Sequence, residues 1–310
     1  MKLYHSLKPH PLVRAERTDG TTAERHGTLA IDGTVLAYVE RGDPHAEPVV
    51  LLHGYLGSHL SWRHQIEPLA ARYRVLALDW FGWGDSGRDA TLAFDYDSEV
   101  DRLRRVLDGL GAGACNLFAH DYGGFLALGL CQRHSERVRR LALLSSRAHR
   151  TFNPTWAAIF GLTSVACRLP LLRGLLAHLP LGAIHRRGVG RELRRGVFDD
   201  ACFEHYAGWM SRDPAGGRFW AHFFSQYRVA ARADLDRGLP AIACPTAIIW
   251  GRDNPYLPVA IATDLAARIP DAVLTVLEST GHYVMEERPA PVLHALEDLL
   301  ARPIARSSRV

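Results

Sequence analysis

Between residues 27 and 40 the chain alternates apolar and polar side chains on either side of Asp32-Gly33. That pattern predicts two half-buried strands joined by a tight hairpin turn. Beyond it, short uninterrupted apolar runs at 49–52, 75–78, 115–119 and 138–144 alternate with segments of helical period near 61–72, 96–110 and 123–134. Strands apolar on both faces, separated by helices, predict a mostly parallel sheet covered on both sides, with the hairpin at one edge. After Arg147 the rhythm stops. Residues 151–238 offer several helix-like pieces, broken by prolines at 154, 170, 180 and 214, and no evident strand. The βα rhythm resumes with runs at 247–250 and 272–277 and helical segments near 258–269 and 289–301. The expected organisation is an α/β core of residues 1–150 and 239–310, carrying residues 151–238 as a helical lid inserted after the sixth strand.

Composition narrows the class. The chain has 310 residues, 47% of them hydrophobic, enough to bury a large core. A formal charge of +4 is mild, and the basic residues are scattered arginines with lysine only at Lys2 and Lys8, so nucleic acid is not an expected partner. Five cysteines form no CxxC pair and read as reduced thiols of a cytoplasmic protein. The first twenty residues lack the apolar stretch of a signal peptide, and no apolar run reaches the ~18 residues of a membrane span. The stretch 155–189 is apolar with interspersed Arg and His. It fits either an amphipathic segment that touches a membrane or lid helices lining an apolar pocket, and the second is the plainer reading.

The chemistry gathers at strand ends. Residues 117–124, Leu-Phe-Ala-His-Asp-Tyr-Gly-Gly, end a strand in Asp121 and open a helix with small residues. This is the arrangement of a nucleophile elbow, whose strained centre requires small neighbours two positions away, here Ala119 and Gly123. An N-cap aspartate would be the bland alternative. Two further features favour the elbow. His53-Gly54-Tyr55 directly follows an earlier strand, so the Tyr55 and Tyr122 N–H groups could pair as donors to developing negative charge, with His53 beside the pocket. Downstream, Asp253 and His282 each follow a strand, in the chain order expected of a triad on such a sheet. The expected roles are Asp121 as nucleophile, His282 as base and Asp253 as the group that orients the histidine. No HxH or HExxH pattern and no complete dinucleotide loop occurs, so neither a metal nor a cofactor is implied.

These residues resemble the α/β-hydrolase superfamily, in its aspartate-nucleophile branch of epoxide hydrolases and haloalkane dehalogenases. The resemblance runs from about residue 27 to 300. It rests on His53-Gly54-Tyr55, on the glycine turn Asp79-Trp80-Phe81-Gly82-Trp83-Gly84-Asp85-Ser86, on His120-Asp121-Tyr122-Gly123-Gly124, and on Gly251-Arg252-Asp253 with Gly281-His282. A carboxylate with a reference pKa of about 3.9 is already ionised at neutral pH and can displace a leaving group from alkyl carbon directly, leaving histidine to activate water against the resulting ester.

The leaving group is less sharply specified. The tryptophan and asparagine that the resemblance implies for a halide cradle are Tyr122 and Tyr55 here. Lid tryptophans Trp156, Trp209 or Trp220 would have to substitute. Epoxide hydrolases generally use lid tyrosines as proton donors, one of them in a Tyr-Arg pair that Tyr227-Arg228 resembles, and Tyr206 is the remaining lid candidate. The expected pocket residues are therefore His53, Trp156, Tyr206 and Trp209, with Tyr227 as proton donor and a small apolar organic molecule as substrate. Epoxide hydrolysis leads. Dehalogenation or strained-lactone opening comes second, and a catalytically silent binding protein on the same fold third.

Overall fold

The computed structural model describes residues 24–148, 153–227 and 233–304. The opening twenty residues and Arg228 lie outside them. Eight strands form one sheet: β1 (Arg25–Ile31), β2 (Thr34–Arg41), β3 (Pro48–Leu52), β4 (Arg74–Asp79), β5 (Cys115–His120), β6 (Val138–Leu144), β7 (Thr246–Gly251) and β8 (Ala272–Leu277). Their spatial order is β1-β2-β4-β3-β5-β6-β7-β8. The β1–β2 and β2–β4 pairs are antiparallel and the rest parallel. Asp32 and Gly33 both take positive φ (51° and 77°), as a two-residue hairpin turn demands, with Ile31 opposite Thr34.

The apolar runs at 49–52 and 75–78 work because alternate residues serve opposite faces. Val50, Leu52, Leu76 and Leu78 pack into one core, with α2 (Tyr96–Gly109) and α3 (Asp121–Arg133). Val49, Leu51, Val75 and Ala77 pack into the other, with α1 (Arg63–Ala70) and the last helix, Pro289–Ala301. An ionic chain ties the hairpin to α2. The Arg102 guanidinium donates to Asp32 Oδ2 (3.0 Å) and Glu99 Oε1 (2.6 Å), and both Arg102 and Glu99 are inaccessible to solvent.

Between β6 and β7 the described residues are helical: α4 (Pro154–Arg168), α5 (Pro170–Leu176), α6 (Leu181–Gly188), α7 (Gly190–Arg194), α8 (Asp200–Phe203), a π-turn at Glu204–Gly208, α9 (Trp209–Arg212), α10 (Pro214–Gln226) and α11 (Ala233–Arg237). The prolines that read as breaks in the sequence are helix starts. Pro154, Pro170 and Pro214 occupy first-turn positions, where a missing N–H costs nothing, and Pro180 precedes α6. Helices α12 (Val259–Arg268), α13 (Val284–Glu287) and α14 (Pro289–Ala301) complete the chain.

Candidate active site

Strand β5 delivers its chain to Asp121, which sits at φ 46°, in the left-handed region that a non-glycine residue enters at a cost. Its neighbours make the turn sterically feasible. A Cβ on Gly123 would lie 2.6 Å from the His53 carbonyl oxygen, and Ala119 is completely buried. Ser146 Oγ donates to the Asp121 carbonyl (2.7 Å), fixing the elbow from β6. The loop after β3 comes equally close: a Cβ on Gly54 would stand 2.5 Å from Asp121 Cβ. That approach lets the Tyr55 N–H donate to Asp121 Oδ2 at 3.0 Å. Tyr122 is the second residue of α3, where amides have no partner in their own helix.

His282 follows β8 and brings Nε2 to 3.9 Å from Asp121 Oδ1. Aromatic rings enclose it, with His120, Tyr256 and Tyr283 centroids at 4.7, 5.0 and 5.3 Å. Burial pulls its pKa down to about 3. The expectation that Asp253 orients this ring needs correction. The Asp253 residue is exposed and makes no hydrogen bond or ion pair with His282; its backbone N–H donates to the Thr280 carbonyl (2.9 Å). The neighbouring Asn254 is buried in its place, with Nδ2 3.1 Å from His282 Nδ1.

The orientation of that amide follows from its surroundings. Asn254 Oδ1 already accepts the N–H groups of Tyr256 (3.0 Å) and Leu257 (3.1 Å), so its NH2 must face the ring. His282 Nδ1 is then an acceptor, and the neutral ring carries its proton on Nε2, towards Asp121. Among the described residues, Asp121 is the only carboxylate within 4 Å of either ring nitrogen.

A cavity of about 440 Å³ opens in front of Asp121 and His282, walled by Tyr55, Trp156, Phe160, Trp220, Phe223, Phe224 and Tyr227, with Tyr256 beside the histidine. Tyr227 is held from both sides. Ser164 Oγ donates to its carbonyl (2.6 Å), and its hydroxyl accepts from Arg147 Nη2 (3.1 Å). The Tyr55 hydroxyl accepts the Trp220 indole N–H (2.9 Å) and donates to His185 Nε2 (2.8 Å), whose Nδ1–H is engaged by the Leu181 carbonyl (2.7 Å). The helical insertion and the α/β core thus meet at this hydroxyl among other contacts, and the Trp220 indole N–H is committed. Behind the wall, the Tyr122 hydroxyl donates to Glu99 Oε2 (2.7 Å), ending the ionic chain from the hairpin.

Trp156, expected in the pocket, and Tyr227, expected as proton donor, both line this cavity. Three others do not, and those expectations are corrected. His53 points into the core: its Nε2 accepts the Trp80 N–H (2.9 Å), and burial lowers its pKa to about 4. The Tyr206 hydroxyl donates to Glu286 (3.2 Å), because the π-turn rotates it away from the pocket and beneath α13. Trp209 spends its N–H on the Tyr206 carbonyl (3.0 Å) and stacks under Arg88. Asn254, Arg147, His185 and Tyr256 went unnoticed in the sequence. Only Asn254, one place beyond the expected Asp253, had a signal that could have found it.

The fold also gathers a polar cluster that no sequence spacing announces. His59, Asp79 and His205 each place a donor atom within 4.8 Å of the others. All three are hydrogen-bonded: His59 Nδ1 to Asp79 Oδ1 (2.9 Å), and His205 Nδ1 to Ser58 Oγ (2.9 Å), so the π-turn of the lid is fastened to the core.

Comparison with known proteins agrees with this fold. Residues 47–289 match the family described as alpha/beta hydrolase fold. Epoxide hydrolase A of Mycobacterium tuberculosis is 29% identical, over 87% of this chain and 95% of its own. Cis-3-alkyl-4-alkyloxetan-2-one decarboxylase of Xanthomonas campestris pv. campestris is 27% identical, over 87% and 93%. Among solved structures, a mutant epoxide hydrolase from Bacillus megaterium superposes with a TM-score of 0.74 at 19% identity, covering 89% of this chain and 100% of the other. The family match spans well over half the sequence, and the chain belongs to the alpha/beta hydrolase fold family.

Proposed function

We propose that the protein hydrolyses apolar epoxides through a covalent ester on Asp121. The observation that carries this reading is a carboxylate held at positive φ, beside an apolar cavity that Tyr227 also lines. The carboxylate attacks the less hindered ring carbon from the side opposite the C–O bond. Tyr227, positioned by Arg147, protonates the departing alkoxide. Water then attacks the ester carbonyl and gives its proton to Nε2 of the minor His282 tautomer, in which the ring proton has moved to Nδ1, while the Tyr55 and Tyr122 N–H groups hold the oxyanion. The hydrolytic half is the slower one, because the Asn254 amide favours the tautomer with the proton already on Nε2. The epoxide hydrolase among its relatives supports the choice of electrophile.

The test is turnover of a lipophilic terminal epoxide to its diol, abolished in Asp121→Asn. Bromoalkanes releasing halide while epoxides stay intact would reverse the choice of leaving group. A second reading, opening of a strained lactone, is favoured by the oxetanone decarboxylase among the relatives, and carbon dioxide release from a β-lactone would identify it. The amide facing His282 favours a third, silent binding on the same fold, which would give binding without product.

A further inference from the structure

Among the described residues, nine of the twelve exposed large hydrophobic side chains lie on one part of the surface, between residues 159 and 184. On α4 the outward face is the apolar one. Ile159, Leu162, Val165 and Leu169 recur every three or four residues and all stand open to solvent, the reverse of an ordinary surface helix. Helix α5 turns away from α4 by 118° and adds Leu171 (80% exposed) and Leu175 (63% exposed), while Leu179 and Ile184 extend the patch to α6. A contiguous patch of this kind is rare on a protein that meets only water.

Its charge is one-sided. From Pro154 to Arg191 the sequence contains no aspartate or glutamate, but it has Arg168, Arg173, Arg186, Arg187 and Arg191. Arg186 is paired with Asp200 at the start of α8, while Arg187 and Arg191 stand on the surface. The patch is also continuous with the cavity, because Ile159, Leu179 and Ile184 are both exposed and part of its wall. A second copy docked about a two-fold axis would set these arginines against themselves, while the acid that meets one of them, Asp200, is already paired with Arg186. A bilayer with anionic headgroups offers hydrocarbon to the leucines and negative charge to the arginines together.

We infer that the outer face of α4–α6 docks on anionic lipid bilayers, so that the cavity mouth faces the lipid from which an apolar substrate would enter. No single helix is long and apolar enough to cross a membrane, and the proposal is of surface contact. Docking does not depend on the chemistry at Asp121, so it can fail or succeed separately from that reading.

The experiment is co-sedimentation of the full chain with sucrose-loaded vesicles. Phosphatidylcholine alone is compared with phosphatidylcholine mixed with phosphatidylglycerol, at low and high salt. The expected result is about tenfold stronger partitioning onto the anionic vesicles, weakened by salt. The combined variant Leu162→Glu, Leu171→Glu and Leu175→Glu touches no cavity residue and should keep its unfolding temperature while losing the vesicles. Wild-type protein that stays in the supernatant with both compositions would overturn the inference. So would a variant that sediments like wild type, or a dimer that the variant splits without any change in sedimentation.

Discussion

Asn254 carries more of the mechanism than its modest side chain suggests. With its oxygen held by two backbone N–H groups, it presents an N–H to His282 where a carboxylate would accept one. Asn254→Asp should reverse the tautomer, stabilise the imidazolium and speed ester hydrolysis by about two orders of magnitude or more, as measured by single-turnover diol release. No acceleration would mean that the ring already acts in another orientation. Tyr227→Phe should slow epoxide opening by about a hundredfold with little loss of substrate binding. Tyr206→Phe, outside the cavity wall, should leave opening unchanged and lower stability by about 1 kcal/mol through the lost bond to Glu286. Comparison of the two variants by steady-state kinetics and melting distinguishes a working hydroxyl from a structural one. At this scale the sequence is legible only in part. Asp121 and His282 stand out in the sequence by following strands, but that residue 254 rather than 253 is buried against the histidine is set by the backbone path of the loop after β7, which no pattern of side chains encodes.

Among elements, the clearest dependence runs from the hairpin to the site. Asp32 binds Arg102, Arg102 binds Glu99, and Glu99 accepts the hydroxyl of Tyr122, the residue directly after the nucleophile. Burial raises the pKa of Glu99, against the pull of Arg102. Removing the guanidinium leaves that carboxyl buried without its cation, so Arg102→Ala should cost about 3–5 kcal/mol by denaturant titration. A loss below 1 kcal/mol would show that the pair is not held as described. The sheet and its helices are readable in advance because parallel strands buried on both faces must be apolar throughout. The lid is less so. Its prolines mark starts rather than ends, and the π-turn at Glu204–Gly208 shifts the helical phase, which turns Tyr206 and Trp209 from the pocket.

For the molecule as a whole, three histidines are buried neutral around the sheet edge. Burial lowers His53 to about 4 and His120 and His282 to about 3, against about 6.5 in the unfolded chain. The unfolded state therefore binds the extra protons, and stability is lost as pH falls from about 6.5 towards 4, at about 1.4 kcal/mol per pH unit for each histidine. Burial also pulls His59 down, but Asp79 outweighs it and raises the value, so its contribution is present at low pH and lost on the alkaline side. The melting temperature should fall steeply below pH 6.5, and His53→Gln should flatten that fall. The most direct measurement concerns Asp121 itself. After brief exposure to a lipophilic epoxide and acid quench, mass spectrometry of the peptide that contains it should show a gain equal to the whole epoxide, since ring opening expels no fragment. Diol formation with no gain on that peptide, or with an undiminished yield from Asp121→Asn, would contradict the covalent route.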